Sequence, residues 1–199
     1  TDEKSSRKLP HAEYLEIPLN KIIKKPFPKE ARQEVFYMAN FKKIGILSSG
    51  GDAPGMNAAI RAATRRALSQ GIEVVGILGG YSGLLNAADE PDMDVVHQRY
   101  LRPFNSGSVS NIVTRGGTIL YSSRCPEFAT PEGMNKALRA CERFNIDAVI
   151  AIGGDGTFRG ATDLTNHGIP SIGIPATIDN DISATEQTIG FDTALNTAL

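Results

Sequence analysis

Three short apolar segments of this chain each run directly into a stretch rich in glycine or aspartate. The segments at 41–48, 148–152 and 171–174 are followed by the runs 49–57, 153–157 and 177–181. Helix-like patterns separate the segments, as expected for buried parallel strands joined by crossover helices. Since the carboxyl ends of parallel strands share one edge, the three runs should meet there. The alternation predicts an α/β fold, an open and mostly parallel sheet with helices on both faces, similar to a Rossmann fold.

The same pattern predicts the individual elements. We expect strands at 43–48, 73–78, 148–152 and 171–174, and helices at 57–69, 131–144, 158–166 and from 192 onward. Thr130-Pro131-Glu132 is typical of a helix start, and Leu138 and Cys141, with Phe144, should be buried in that helix. We expect residues 79–110 to be irregular and the acidic stretch at 89–94 to be a solvated loop. Residues 1–40 form a predicted N-terminal extension, and residues 41–199 a predicted α/β domain.

Composition restricts the class of function. The chain has 199 residues, 41% of them hydrophobic, and a net charge of −1, which argues against a broad nucleic-acid footprint. It has no apolar run of membrane-spanning length and no apolar signal segment near its start. Two cysteines do not indicate a disulfide framework. We therefore expect a cytoplasmic protein with neither nucleic-acid nor membrane partners.

The three runs carry side chains suited to phosphoryl transfer. Asp155, Asp179 and Asp181 supply carboxylates, which can hold a divalent metal or act as a general base. Strand, glycine turn and helix at 43–61 form a typical phosphate-binding unit, although the run is neither a Walker A loop nor a G-x-G-x-x-G fingerprint. The combination predicts phosphoryl transfer to a hydroxyl.

Seven motifs then resemble the phosphofructokinase family in order and spacing. They are SGGDAPGMNAAIR (49–61), GGYSGL (79–84), TRGGT (114–118), SSRCPEF (122–128), GGDGT (153–157), TIDNDI (177–182) and TIGFDTA (188–194). The resemblance covers the chain from about residue 42 to its end. It implies transfer of the γ-phosphate of ATP to the 1-hydroxyl of fructose 6-phosphate, with Mg²⁺ as cofactor and a dimeric or tetrameric homo-oligomer.

The resemblance assigns roles to the residues of the site. Asp179 becomes the general base, Arg124 contacts the transferring phosphoryl group, and Asp155 with Asp181 forms the metal side. The substrate-binding residues on the sugar side are Thr177, Ile178 and Asp179. The nucleotide side comprises Gly51, Tyr81, Arg124, Cys125, Gly154, Asp155, Gly156, Thr157 and Gly160, where the last residue would leave room for adenosine. The alternatives are a turn-forming Asp179, a surface Arg124 and a Tyr81 that only packs.

Arg61 and Arg65 are four residues apart and should share one helix face. The resemblance implies an effector nucleotide there, as in bacterial members, and a plain solvated face is the alternative. Pyrophosphate-dependent members commonly carry aspartate and lysine where this chain has Gly156 and Ala176, so the sequence favours ATP. A pyrophosphate-dependent enzyme and a non-catalytic nucleotide-binding subunit remain the competing interpretations.

Family members are considerably longer, with a second half that carries basic groups for the sugar 6-phosphate. We therefore expect that the sequence is a fragment, or that another chain supplies the remainder. The isolated 199-residue piece should then have negligible kinase activity.

Overall fold

A six-stranded sheet forms the centre of the described protein. The computed structural model describes residues 41–183 and 185–199, so the predicted extension at 1–40 lies outside the described residues. The strands lie in the order β3-β2-β1-β4-β5-β6, and all neighbours are parallel except β3, which is antiparallel to β2. Their bounds are β1 Lys43–Ser49, β2 Glu73–Ile77, β3 Leu101–Phe104, β4 Ala148–Gly153, β5 Ser171–Thr177 and β6 Ile189–Gly190. The predicted mostly parallel α/β sheet is confirmed.

Six α-helices and one short 3₁₀ helix surround the sheet in the described ranges. They are α1 Met56–Ser69, α2 Gly80–Asp89, α3 Met93–Arg99, the 3₁₀ helix Pro126–Ala129, α4 Pro131–Phe144, α5 Asp155–Asn166 and α6 Phe191–Ala198. Within 41–183 and 185–199, none of these helices has both the length and the apolar character that a bilayer crossing requires.

Helices cover both faces of the sheet, as β1 shows most directly. Its neighbouring residues Ile46 and Leu47 are both fully buried, and successive side chains of a strand point to opposite faces. Ile46 belongs to a core cluster that includes Ile60 of α1, whereas Leu47 belongs to one that includes Leu84 of α2 and Ala137 of α4. A strand buried on both faces explains why its sequence is a continuous apolar run rather than an alternating one.

The prediction of an irregular segment at 79–110 was wrong, because α2, α3 and β3 all lie in it. Gly79 and Gly80 have φ values of 75° and 64°, so they supply the left-handed entry into α2 rather than a loop. Gly83 faces the carbonyl oxygen of Leu78 so closely that a Cβ would clash. The predicted acidic loop contains the cap of α3, where Asp92 accepts hydrogen bonds from two backbone N–H groups.

The predicted start of α4 is confirmed. Thr130 Oγ1 accepts a hydrogen bond from the N–H of Gly133 at 3.1 Å, and Pro131 occupies the first turn. Cys141 is buried as predicted, but Leu138 and Phe144 are only half-buried. The other buried residues of the helix are Gly133, Met134, Ala137 and Ala140.

Two boundaries near the predicted site differ from expectation. Helix α5 begins at Asp155, three residues before the predicted start, and β5 continues to Thr177. Asp155, Gly156 and Thr157 therefore lie in the first turn of a helix. This places the Asp155 carboxylate at a helix N-terminus, where the partial positive charge of the backbone favours an acid.

Candidate active site

A cleft of 520 Å³ opens at the carboxyl ends of β1, β4 and β5. The chain moves from β1 outward to β2 and later returns to β4 on the other side of β1, so the direction of the strand order reverses here. Open α/β sheets bind ligands at such a reversal. The cleft is lined by Ser49, Gly50, Gly51, Tyr81, Arg124, Cys125, Pro126, Phe128, Ala129, Gly154, Asp155, Gly156, Thr157, Arg159, Gly160, Asp163, Ala176, Thr177, Asp179 and Asp181.

The structure brings together nearly all the residues predicted for the site. The exceptions are Ile178, which is 49% exposed and does not line the cleft, and the predicted effector pair on α1. Arg61 donates a hydrogen bond from Nη1 to the carbonyl oxygen of Val109 at 2.6 Å, while Arg65 is exposed. Arg61 therefore ties α1 to the segment after β3, and effector binding at this pair stays a prediction.

Two glycines of the cleft have no packing reason to be glycine. A Cβ built on Gly51 or Gly156 would meet no heavy atom within 4 Å. Both residues line the cleft, so a side chain there would take up space in the cleft itself. Small residues at such points let a ligand approach the backbone closely. The fit supports a ligand with phosphate groups, which bind to backbone N–H groups at the start of a helix.

Gly160 has a packing reason to be glycine. A Cβ on this residue would lie 2.7 Å from the ring of Tyr81. The missing side chain therefore makes room for Tyr81, and its role in leaving room for an adenosine stays a prediction.

Tyr81 is held firmly in the wall of the cleft. It is only 4% exposed, stacks on Phe128 with 4.0 Å between ring centroids, and donates a hydrogen bond to the carbonyl oxygen of Thr157 at 2.7 Å. Burial, and secondarily the nearby charge of Asp163, raises the pKa of Tyr81 well above its ordinary value. The phenol is thus a neutral structural donor, which agrees with the packing interpretation, and its contact with a nucleotide stays a prediction.

Asp155 is paired inside the cleft. Its Oδ2 lies 2.7 Å from Nη2 of Arg159, one turn further along α5, and the two side chains are 53% and 79% exposed. Across 41–183 and 185–199, no group of three or more His, Cys, Asp or Glu residues is close enough to hold a metal ion. A metal held by Asp155 and Asp181 alone therefore stays a prediction. Asp155 still fits Mg²⁺, which commonly takes one or two carboxylates together with phosphate oxygens and water.

Asp179 lies just beyond β5, in a turn stabilised by its own neighbours. Its N–H donates to Thr177 Oγ1 at 3.2 Å, and the Thr177 hydroxyl lies 3.4 Å from Oδ2 of Asp179. Asn180 has a φ of 50° and accepts a hydrogen bond on Oδ1 from the N–H of Thr188 at 2.9 Å. Thr188 in turn donates to the carbonyl oxygen of Thr177 at 2.6 Å. These bonds hold an exposed carboxylate over the cleft.

Hydroxyl groups attach the segment that carries Arg124 and Cys125 to β1. Ser48 Oγ lies 2.7 Å from Thr118 Oγ1, and Ser49 Oγ donates to the carbonyl oxygen of Ser123 at 3.2 Å. Both serines are buried at the end of β1. The segment therefore reaches the cleft in a fixed position relative to the sheet, and Arg124 faces the same space as Asp155.

Sequence reasoning missed two charged residues of the cleft, Arg159 and Asp163. With Asp155 they form a series at spacings of four residues, which places all three on one face of a helix. That spacing was visible in the sequence. It carried no information while α5 was predicted to begin after Asp155.

Relatives of known type match most of the chain. The phosphofructokinase family profile matches residues 43–199. Curated relatives named ATP-dependent 6-phosphofructokinase include one from Shouchella clausii, 52% identical over 158 residues, and one from Listeria monocytogenes, 53% identical over the same length. These matches cover 79% of this chain and 46% of each relative, so the chain spans about half the length of the curated relatives it matches.

Solved structures agree with this result. The phosphofructokinase of Saccharomyces cerevisiae superimposes with a TM-score of 0.68 at 31% identity, covering 79% of this chain and 23% of that one. Phosphofructokinase of Pichia pastoris in the T-state gives 0.67 at 32% identity, covering 78% and 18%. With the fold and the matching profile, these relatives show that the chain belongs to the phosphofructokinase family.

Proposed function

We propose that this protein is an ATP-dependent 6-phosphofructokinase, which transfers the γ-phosphate of ATP to the 1-hydroxyl of fructose 6-phosphate. The observation that carries the proposal is the pair of glycines, Gly51 and Gly156, that open onto the cleft without any packing need. Curated relatives about half identical over most of the chain are named for this activity. A cleft shaped for a polyphosphate and bordered by an exposed carboxylate suits both substrates.

The donor phosphates would lie between the start of α5 and the segment before the 3₁₀ helix. Backbone N–H groups near Gly51, Gly154 and Gly156 would bind phosphate oxygens there. The N–H of Thr157 already donates to the carbonyl oxygen of Gly154 at 3.0 Å. Arg124 would stabilise the charge that develops on the transferring phosphoryl group. Asp155, with or without Asp181, would hold Mg²⁺, which when bound neutralises charge on the donor phosphates.

The acceptor hydroxyl would approach from the end of β5. Asp179 would accept its proton as the oxygen attacks phosphorus, and the Thr177 hydroxyl keeps that carboxylate in position. Ile178 does not line the cleft, so its predicted contact with the sugar would come from its backbone. Homo-oligomeric assembly, a cytoplasmic location and an effector site at Arg61 and Arg65 belong to the same proposal and rest on the family resemblance.

Gly156 offers a direct test of the donor. Gly156→Asp should place a carboxylate in the open space of the cleft and weaken ATP binding by repulsion, with no steric cost to the fold. Gly156→Ala is the matched control, because it adds a Cβ without a charge. The measurement is phosphorylation of fructose 6-phosphate at varied Mg-ATP and, in parallel, at varied Mg-pyrophosphate.

In a full-length version that includes the expected second half, we expect turnover with Mg-ATP, a raised KM for ATP in Gly156→Asp and a smaller change in Gly156→Ala. Faster turnover with Mg-pyrophosphate would identify the pyrophosphate-dependent activity instead. Binding of ATP without turnover on either donor would favour a non-catalytic nucleotide-binding role.

A further inference from the structure

The cleft lining carries more carboxylates than guanidinium groups. In the described ranges it includes four carboxylates, on Asp155, Asp163, Asp179 and Asp181. Arg124 and Arg159 are the lining residues that carry positive charge. Arg159 therefore supplies half of the cationic charge available to a polyphosphate, although no predicted role included it.

The ion pair of Arg159 occupies one of the two carboxylate oxygens of Asp155 that could bind a metal. Nη2 of Arg159 lies 2.7 Å from Oδ2 of Asp155. A divalent cation at that oxygen would meet the guanidinium at close range, and two like charges in contact repel. The ion pair and a bound metal therefore compete for Asp155.

Little holds Arg159 in its present position. Its side chain is 79% exposed, and pairs of this i, i+4 type on helix surfaces contribute little to stability. Asp163, one turn further along α5, also lines the cleft and offers no phosphate-binding group of its own. A guanidinium released from Asp155 thus remains beside the cleft, with the donor phosphates as its strongest available partner.

We propose that Arg159 is a second donor-binding residue that neutralises Asp155 in the empty cleft and transfers to the phosphates of the nucleotide when a metal takes its place. The proposal rests on the proposed function, since it requires that a nucleotide polyphosphate enters this cleft. It assigns Arg159 a role in binding only and leaves the proton transfer at Asp179 unchanged.

The test compares Arg159→Gln with the parent chain in two separate titrations. Mn²⁺ alone, followed by its electron paramagnetic resonance signal, should bind the variant several-fold more tightly, because its competitor for Asp155 is gone. ADP in the presence of a chelator, followed by calorimetry, should bind about 10-fold more weakly, as expected for the loss of one charge-assisted hydrogen bond. Changes of opposite sign cannot arise from a general loss of structure.

Two further variants make the result specific. Arg139, on α4 and outside the cleft, also forms an ion pair, with Asp89 at 2.8 Å. Arg139→Gln should therefore change neither the Mn²⁺ nor the ADP dissociation constant. Arg159→Lys keeps the charge and should restore much of the ADP affinity.

The remaining outcomes would contradict part or all of the proposal. Constants for Arg159→Gln within about two-fold of the parent values, or shifted in the same direction, would show that Arg159 is only a helix-surface partner of Asp155. Absence of ADP binding to the parent chain would overturn the proposed function and the phosphate contact together. Tighter Mn²⁺ binding in the variant would in that case still support the competition at Asp155.

Discussion

At the scale of single residues, the proposed base Asp179 has a well-defined position at the cleft. It is an exposed carboxylate whose backbone turn is fixed by Thr177, Asn180 and Thr188, so it needs no burial to be oriented. A base held by a rigid turn can meet an incoming hydroxyl without a large rearrangement. The same turn explains why Asn180 is an asparagine, a residue type that tolerates the left-handed conformation.

Asp179→Asn should leave nucleotide binding intact and reduce turnover, because the amide keeps the shape of the side chain but cannot accept the proton. Loss of a general base costs roughly 10²–10⁴-fold in rate. The measurement is kcat of a full-length version at saturating Mg-ATP and fructose 6-phosphate, with Asp94→Asn on α3 as an exposed control outside the cleft. Turnover within about two-fold of the parent value would contradict the assignment.

Gly160→Ala should destabilise the protein, because its Cβ would lie 2.7 Å from the Tyr81 ring, which burial and stacking hold in place. Overpacking of this kind costs about 1–3 kcal/mol. The free energy of unfolding in urea measures it. Gly156→Ala on the same helix meets nothing within 4 Å and is the control, expected to be neutral or slightly stabilising.

At the scale of elements, α4 shows that a local sequence signal can be sufficient to predict where a helix begins. Thr130 accepts a hydrogen bond from the N–H of Gly133, and removing such a cap costs about 1 kcal/mol. Thr130→Ala should lower the free energy of unfolding by about that amount. Thr162→Ala, in the interior of α5, removes a hydroxyl that bonds only to the preceding turn, at Phe158, and should cost less.

Other elements could not be read from the sequence because the deciding contacts are distant. Glycines 79, 80 and 83 suggested a loop, yet their roles are set by a helix entry and by close packing on Leu78. Strands β1, β4 and β5 were predicted because buried parallel strands are recognisable as continuous apolar runs. The cleft followed from them. The pairing of Asp155 with Arg159 depended on the helix boundary at residue 155, and the contact of Gly160 with Tyr81 depended on packing between distant parts of the chain.

At the scale of the whole molecule, buried ionisable groups make stability depend on alkaline pH. Burial raises the pKa of Cys141 from an ordinary value of 9.0 to about 12. A thiol that stays neutral when folded but ionises when unfolded stabilises the fold fully below pH 9, and this contribution is lost as the pH rises toward 12. Tyr81, whose pKa burial also raises, acts in the same direction above about pH 10.

The free energy of unfolding should therefore fall as the pH is raised from 8 to 10, before tyrosine contributes. Cys141→Ala should show a shallower decline, even if its absolute stability is lower, because the slope depends only on proton release. Urea titrations at pH 8, 9 and 10 give the slope. Equal slopes for the parent chain and the variant would mean that Cys141 is accessible to solvent. The matched control is Cys125→Ala, at the half-buried second cysteine.

The central pairing of the sheet can form only late in the synthesis of the chain. Strand β1 pairs with β4 from Ile44 opposite Ala148 to Ser49 opposite Gly153, and the anchoring contact of Lys43 with Asp147 spans 104 residues. At elongation rates of about 5–20 residues per second, β1 waits roughly 5–20 s after leaving the ribosome before its central neighbour emerges. During that interval its apolar residues Ile46 and Leu47 have only one flanking strand, β2. Slow codons between β2 and β4 would lengthen this exposed period, whereas slow codons after β5 would not.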